Sequence, residues 1–312
     1  MRRKFAIGAA TLVLAMLGSG SADADRLRQR GEFGAPGWVL PGAALDLDFA
    51  QGQYWGTKSC RSAATCLNVS RASPGTVQDD AGNVVSFASD QPRITNQGIL
   101  VEESRANSQP YNEMAGAASP NVYPTGWSVA CGGNGVIMGI VGTGTENGIP
   151  YADFQLSGTT TAAQSCSISF IGNDETVAAA NSQTWTSSFF RRLSGGSFAN
   201  LSATDFIDMW NSSGTFLAQL GSSSLTPSAT TLGQGRIANS QTLNQSSTAY
   251  ANHYLNLAWA ASGLNINVTL RLGGVQLEQG LGATSLIFTN GAAGRAPQIL
   301  SPSPTRRRSA RR

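Results

Sequence analysis

Leu264-Asn265-Ile266-Asn267-Val268-Thr269-Leu270-Arg271-Leu272 is the stretch that decides the fold class. Leu264, Ile266, Val268, Leu270 and Leu272 alternate strictly with Asn265, Asn267, Thr269 and Arg271. Successive side chains of a strand point to opposite faces, whereas a helix brings its apolar residues round every third or fourth position. The run is therefore a strand with one buried and one polar face.

The same period recurs outward from it. In 253–259, His253, Leu255, Leu257 and Trp259 share a phase, and in 166–170 Cys166, Ile168 and Phe170 do. In 151–156 the aligned set is Ala152, Phe154 and Leu156, and in 45–49 it is Leu45, Leu47 and Phe49, with Asp46 and Asp48 opposite. Residues 50–66 read as a loop that carries Tyr54, Trp55 and two cysteines. Only 203–210 is read as a helical turn or two, with Asp205 near its start. Asp80-Ala81-Gly82-Asn83, Ser194-Gly195-Gly196 and Ser262-Gly263 mark turns between strands. Many short strands separated by turns mean an all-β sandwich or barrel. Charged residues make up only 12% of the chain, and small polar residues take their place, as such outer faces require.

The two ends read differently. Arg2, Arg3 and Lys4 precede an uncharged stretch at 5–17 and the small-residue run Ala22-Asp23-Ala24. This order fits a cleaved export signal at 1–24, and its apolar part is shorter than the ~20 residues a membrane span needs. Residues 25–44 form a polar, Gly/Pro-rich lead-in. Removing the signal takes three of 21 basic and one of 18 acidic residues, leaving 18 against 17. Five of those 18 are Arg306, Arg307, Arg308, Arg311 and Arg312, in a tail at 298–312 expected to be disordered. The body thus holds 13 basic against 17 acidic residues. It has no basic surplus for a nucleic-acid interface, so no specific nucleic-acid partner is expected.

Cys60, Cys66, Cys131 and Cys166 allow three pairings once exported to an oxidising compartment. Cys60–Cys66 closes a short loop and Cys131–Cys166 staples two strands in the pairing favoured here. No Cys-x-x-Cys occurs and His253 is the sole histidine, so neither a zinc site nor any other metal or cofactor is expected.

Two separated segments resemble one family. The first runs Ser70-Arg71-Ala72-Ser73, Asp79-Asp80-Ala81-Gly82-Asn83-Val84-Val85, Gln91-Pro92-Arg93-Ile94 and Gly98-Ile99-Leu100-Val101-Glu102-Glu103-Ser104-Arg105-Ala106-Asn107. The second runs Gly274-Val275-Gln276-Leu277-Glu278-Gln279-Gly280, Ala283-Thr284-Ser285-Leu286-Ile287-Phe288 and Ala292-Ala293-Gly294-Arg295-Ala296. Both are similar to the opening and closing runs of phage tail-fibre and head-spike-fibre domains, also found in prophage-derived bacterial proteins. The resemblance frames residues 45–297 and implies a jelly-roll antiparallel β-sandwich related to carbohydrate-binding modules. It also implies structural roles for Arg71, Arg93, Glu102, Glu103, Arg105, Asn107, Gln276 and Glu278. Ser104 and Ala106 depart from the family's usual residues, and the cysteines and export signal are foreign to a virion protein assembled in the cytoplasm. These departures suit a module recruited for secretion or for the periplasm.

Catalytic chemistry finds little purchase. A glycosidase needs two carboxyls about 5–9 Å apart across a cleft. Adjacent Glu102 and Glu103 would point to opposite faces of a strand, one of them pairing with Arg93 or Arg105, while Glu278 would satisfy loop backbone donors. There is no Gly-x-Ser-x-Gly elbow, and His253 falls in a buried phase. Gly142-Thr143-Gly144-Thr145 lacks the Lys-Ser/Thr pair of a phosphate loop. Aromatic faces with amides and carboxylates beside them suit sugars better. Trp127 and Trp259 read as core, and Trp185, Trp210, Tyr151 and Asp153 as a binding face. The expectation is an exported, non-enzymatic glycan-binding protein. The alternatives are an oligomerising fibre, coat or decoration protein and a polysaccharide-degrading enzyme.

Overall fold

A computed structural model of the chain describes residues 45–56, 60, 62–172, 177–223, 225–227, 230–290, 293–295 and 299–302. The expected signal at 1–24, the lead-in at 25–44 and the arginine run from 306 lie outside the described residues. Two compact units emerge: one within Met1–Asp80, Ser86–Glu103 and Ala296–Arg312, the other Ala81–Val85 with Ser104–Arg295.

The larger unit is an antiparallel sandwich of ten principal strands: β1 Ser128–Cys131, β2 Val136–Glu146, β3 Ile149–Thr159, β4 Gln164–Ser169, β5 Thr184–Ser197, β6 Ser202–Trp210, β7 Phe216–Ser223, β8 Arg236–Thr242, β9 Tyr250–Trp259 and β10 Asn265–Gln279. The front sheet has the order β2-β3-β10-β5-β8 and the back sheet β7-β6-β9-β4-β1, with the short strand Val177–Ala178 also on β9. Apart from the hairpins β2–β3 and β6–β7, each connection carries the chain to the opposite sheet, as in a jelly roll.

The deciding stretch lies in β10, between β3 and β5. Ile266, Val268, Leu270 and Leu272 are buried as their phase requires. The strand then shifts register against β5 beyond Gly273, and the buried phase resumes one residue late, at Val275 and Leu277. Gly274, at φ +57°, makes the shift, and a Cβ there would stand 2.9 Å from the Phe190 ring. A glycine in the left-handed region is the usual maker of such a bulge.

The filling between the sheets has two apolar clusters with a polar layer between them. The larger includes Phe154, Ile168, Phe170, Phe189, Leu255 and Val268, the smaller Trp185, Ile207, Met209, Ala251 and Leu277. On β5, Ser187 stands between Phe189 and Trp185; on β6, Asp205 between Ala203 and Ile207; on β9, His253 between Leu255 and Ala251. All three polar residues are fully buried. Each of the large apolar side chains contributes about 1.5–3 kcal/mol on burial.

Among its described residues the smaller unit has one small apolar cluster, Cys60, Cys66 and Leu67 with Leu45, Leu47, Phe49, Tyr54 and Ile99 against them, and buried arginines beside it. Buried Arg71 donates to the carbonyls of Ser73, Phe87, Ala88 and Gln91. Arg93 donates to the Thr76 carbonyl at 2.9 Å and to Glu102 Oε2 at 2.6 Å. Cys60–Cys66 closes around the short helix Ala63–Cys66, and Asp46–Asp48 pairs with Gln53–Trp55.

Several expectations need correction. Residues 203–210 lie in strand β6, not a helical turn, because Ala203, Asp205, Ile207 and Met209 face the core while Thr204, Phe206 and Trp210 face out. The loop expected at 50–66 contains a strand and a helical turn. Glu102 and Glu103 follow the strand Gly98–Leu100 and lie outside it. Residues Ile299–Pro302, placed in the tail, form a strand on Leu67–Ser70, an edge whose backbone groups they satisfy.

Candidate functional site

The described strands of the back sheet contain no lysine or arginine. Their acids are Asp205, turned inward, and Asp208, turned outward on β6. Registers place Asp208 at the middle of a grid. Gln219 of β7 and Asn252 of β9 lie opposite it on either side, and Phe206 and Trp210 lie two residues away along β6. Beyond these, Phe206 faces Tyr254, and Trp210 faces Phe216 and Tyr250.

The rings fix one another. Phe206 stacks on Tyr254 at 5.3 Å between centroids, and Phe216 meets Trp210 edge-on at 5.4 Å. The Tyr254 hydroxyl donates to Gln219 Oε1 at 3.0 Å. Phe216 remains 46% exposed, so the cluster reaches solvent at that end. Asp208, by contrast, is 8% exposed, and its Oδ1 has no hydrogen-bond partner among the described residues. The same holds for Trp210 Nε1. Burial raises the Asp208 pKa to about 7. Burial, with Asp208 adding to it, raises Tyr254 to about 12. This outward face keeps a dry acceptor and a dry donor among aromatic rings, a chemistry that complements hydroxyl and amine groups.

Of the expected binding residues, Trp210 belongs to this face. Trp185 does not: it is 4% exposed, lies in the smaller apolar cluster, and donates from Nε1 to Gln183 Oε1 at 3.1 Å. Its phase on β5 is that of Ser187 and Phe189, which is inward. Tyr151 and Asp153 lie on β3 in the other sheet, so the four residues do not form one face. Arg271 binds Asp153 through Nε at 2.9 Å and Nη2 at 2.8 Å, and its guanidinium sits 3.6 Å from the Tyr151 ring centre. Arg271 and Arg192 also hold Glu146, at 2.6 and 2.9 Å. Burial alone would raise the Glu146 pKa; the Leu232 N–H and the two guanidinium groups outweigh it and hold the pKa below the ordinary value. This front cluster is charge-balanced and internally bonded. Phe206, Phe216, Tyr250 and Tyr254 went unread in the sequence and Asp208 only as a neighbour of Trp210, although Tyr254 and Asn256 form the outer phase of the strand recognised at 253–259.

The residues carried by the family resemblance form joints. Asn107 accepts from the Gln109 and Leu277 N–H groups, both at 3.0 Å, and donates to the Val275 and Ile287 carbonyls. Buried Gln276 bonds Glu278 at 2.9 Å and accepts from the Ile287 N–H. Glu278, within β10, accepts from Thr284 N at 3.0 Å and Thr284 Oγ1 at 2.5 Å. Arg105 donates to the Gln279 carbonyl, and Arg105–Asn107 pairs with Ala293–Arg295. The disulfides are Cys60–Cys66 and Cys131–Cys166, the latter between residues directly opposite on β1 and β4.

Ser187, Asp205 and His253 are also neighbours. Ser187 Oγ is 2.9 Å from His253 Nδ1 and 3.1 Å from Asp205 Oδ1. Serine thus stands between acid and imidazole, whereas a nucleophilic triad needs the imidazole between the other two. His253 Nε2 faces Gln109 Oε1 at 3.1 Å.

No helix among the described residues is long and apolar enough to cross a membrane, and no group of three or more potential metal ligands occurs among them. No family model and no curated protein matches the sequence. Among solved structures, the chain is similar to the enzymatically active domain of bacteriophage CBA120 tailspike protein 4 (12% identity, TM-score 0.34, covering 50% of this chain and 19% of that one). It thus spans about a fifth of that tailspike chain. Another is the CBM22-1 xylan-binding domain of Paenibacillus barcinonensis Xyn10C (15% identity, TM-score 0.34, 58% and 99% covered). A third is a carbohydrate-binding module of the β-sandwich superfamily (10% identity, TM-score 0.36, 62% and 77% covered).

Proposed function

We propose that this chain is an exported, non-catalytic glycan-binding module of phage-fibre type, and that it holds sugar on the outer face of the back sheet. The observation that carries the reading is the grid around Asp208, in which aromatic rings flank a dry carboxyl and side-chain amides. Ring faces suit the C–H surfaces of a pyranose, and Gln219, Asn252 and Asp208 suit its hydroxyls. The rings are held by one another and by the Tyr254–Gln219 bond, which lowers the ordering cost of binding. The carboxyls nearest to an enzymatic reading, Glu102 and Glu278, are engaged in holding the chain together, which favours binding without bond cleavage. Two disulfides suit the oxidising compartment that export would provide. A glycan array probed with the purified protein is expected to give hits, and Trp210→Ala to weaken them at least tenfold in solution titration. A blank array, or hits indifferent to both Trp210→Ala and Phe216→Ala, would remove the proposal. Release of reducing sugar from a bound polysaccharide would remove its non-catalytic part.

A further inference from the structure

We infer that the sugar seated over Asp208 carries a free, protonated amine, as in a hexosamine glycan lacking its N-acetyl groups, and that the back sheet discriminates against acidic glycans. The inference rests on the proposed sugar-binding role and assigns its ligand class.

Three observations lead there. The first is how the protein treats its other enclosed acids outside the polar core layer; within that layer Asp205 Oδ2 also has no partner among the described residues, but it is fully buried between the sheets and out of a ligand's reach. Glu146 and Asp153 are neutralised by Arg192 and Arg271, Glu102 by Arg93, and Glu278 accepts from Thr284 and Gln276. Asp208 is enclosed to a similar degree, yet its Oδ1 has no partner among the described residues. An enclosed carboxyl oxygen without a donor is costly, and a cationic donor relieves that cost better than a hydroxyl.

The second is the charge of the face. All arginines in the sandwich strands (Arg191, Arg192, Arg236 and Arg271) are in the front sheet, and the back-sheet strands contain neither arginine nor lysine. A uronic acid, a sialic acid or a sulfated sugar would meet the ionised form of Asp208 with no compensating cation, or would have to hold it protonated. Like charges juxtaposed in this way exclude the wrong ligand.

The third is the aromatic surround. Phe206 and Trp210 flank Asp208 on its own strand, and Tyr250 and Tyr254 lie diagonally across on β9. Ring faces attract a cation, so rings and carboxyl act on an ammonium in the same direction. Gln219 and Asn252, directly opposite Asp208, are placed for the hydroxyls beside the amine.

The test is calorimetric titration of the purified full chain at pH 7 and 0.15 M salt. The ligands are β-1,4-linked glucosamine oligomers of equal length, fully N-acetylated or fully free-amine, and an oligogalacturonate. Free-amine oligomers are expected to bind at least tenfold more tightly than N-acetylated ones, and oligogalacturonate not at all. Asp208→Asn, which keeps the shape, is expected to abolish the preference, and Trp210→Ala to weaken free-amine and N-acetylated oligomers alike. Binding of N-acetylated oligomers as tight as that of free-amine oligomers, or a preference that survives Asp208→Asn, overturns the inference and leaves the glycan-binding proposal standing. So does Trp210-dependent binding of other glycans when neither glucosamine oligomer binds. If no glycan of any class binds the protein, the proposed function fails and this inference with it.

Discussion

Asp205→Asn should stabilise the protein increasingly as pH rises. Gln109 Nε2 donates to the carbonyls of Phe170, at 2.6 Å, and Tyr111, at 3.4 Å, so its Oε1 faces His253. His253 Nε2 must therefore carry a proton. Burial lowers the His253 pKa to about 3, so the ring is neutral and Nδ1 accepts from Ser187 Oγ. Serine's one proton is then spent, and the contact to Asp205 Oδ1 requires the proton to come from Asp205. Burial raises the Asp205 pKa from 3.8 to about 8, in agreement with that direction. Between pH 4 and pH 8 the folded chain thus holds a proton at Asp205 that the unfolded chain has released. Stability from this group is complete below the unfolded pKa and is lost as pH rises through the folded one, at about 1.4 kcal/mol per pH unit. At pH 7 the accumulated cost is about 4 kcal/mol. An asparagine amide donates to Ser187 as the protonated acid does and carries no such cost. Urea unfolding of wild type and Asp205→Asn at several pH values between 4 and 8 isolates the term, since His253 and Asp208 titrate in both proteins. The stability difference should favour Asp205→Asn more at each higher pH, by roughly one proton's worth. A difference that stays flat across that range would refute the proton assignment for the whole chain from Asp205 to Gln109.

Two further outcomes test the joints. Asn107→Ala removes a side chain that serves two backbone donors and two carbonyls. A loss of about 3 kcal/mol is expected in urea unfolding, because buried groups left unpaired cost about 1–3 kcal/mol each. Replacing Cys131 and Cys166 together by alanine opens a loop of sequence separation 35 and should cost about 2–4 kcal/mol in the same measurement. The far-ultraviolet spectrum should stay that of a β protein.

Much of the sandwich was legible because its core strands obey one period. The buried phases of 151–156, 166–170, 253–259 and 264–272 fall as alternation requires, since each of these strands has one face on the core. Legibility failed where a polar residue occupied a buried phase. Asp205 made 203–210 look like a helix start; the strand reading needs the knowledge that Ser187 and His253 wait opposite it in the core. Trp185 was misplaced for a related reason. Its neighbours Thr184 and Thr186 are polar, as on a surface strand, yet Thr186 and Ser187 are themselves fully buried. The Asn147-Gly148 turn between β2 and β3, with φ of 52° and 74°, was an overlooked hairpin signal of a well-known kind. The division of residues 45–297 into two compact units left no such mark, because the smaller unit is held by arginine-to-carbonyl bonds that no periodicity reports.

The two sheets have divided the work of polar residues between them. On the front sheet Glu146 and Asp153 close into one cluster with Arg192 and Arg271, and Glu278 accepts from Thr284 and Gln276. On the back sheet the corresponding surface carries rings and amides around one acid whose Oδ1 is left without a described partner. Stability alone does not ask for this difference. Phe206 and Trp210 bury only part of their surface on an outer face, and Asp208 is destabilising there whether it holds a proton or loses it. A sheet that needed only to be soluble would place threonine, serine and asparagine at these positions, as β4 does with Ser165, Ser167 and Ser169. Residues that cost the fold something and cluster at one place are the first to test for binding. On the proposed function, those residues are the ones around Asp208 on the outer face of the back sheet.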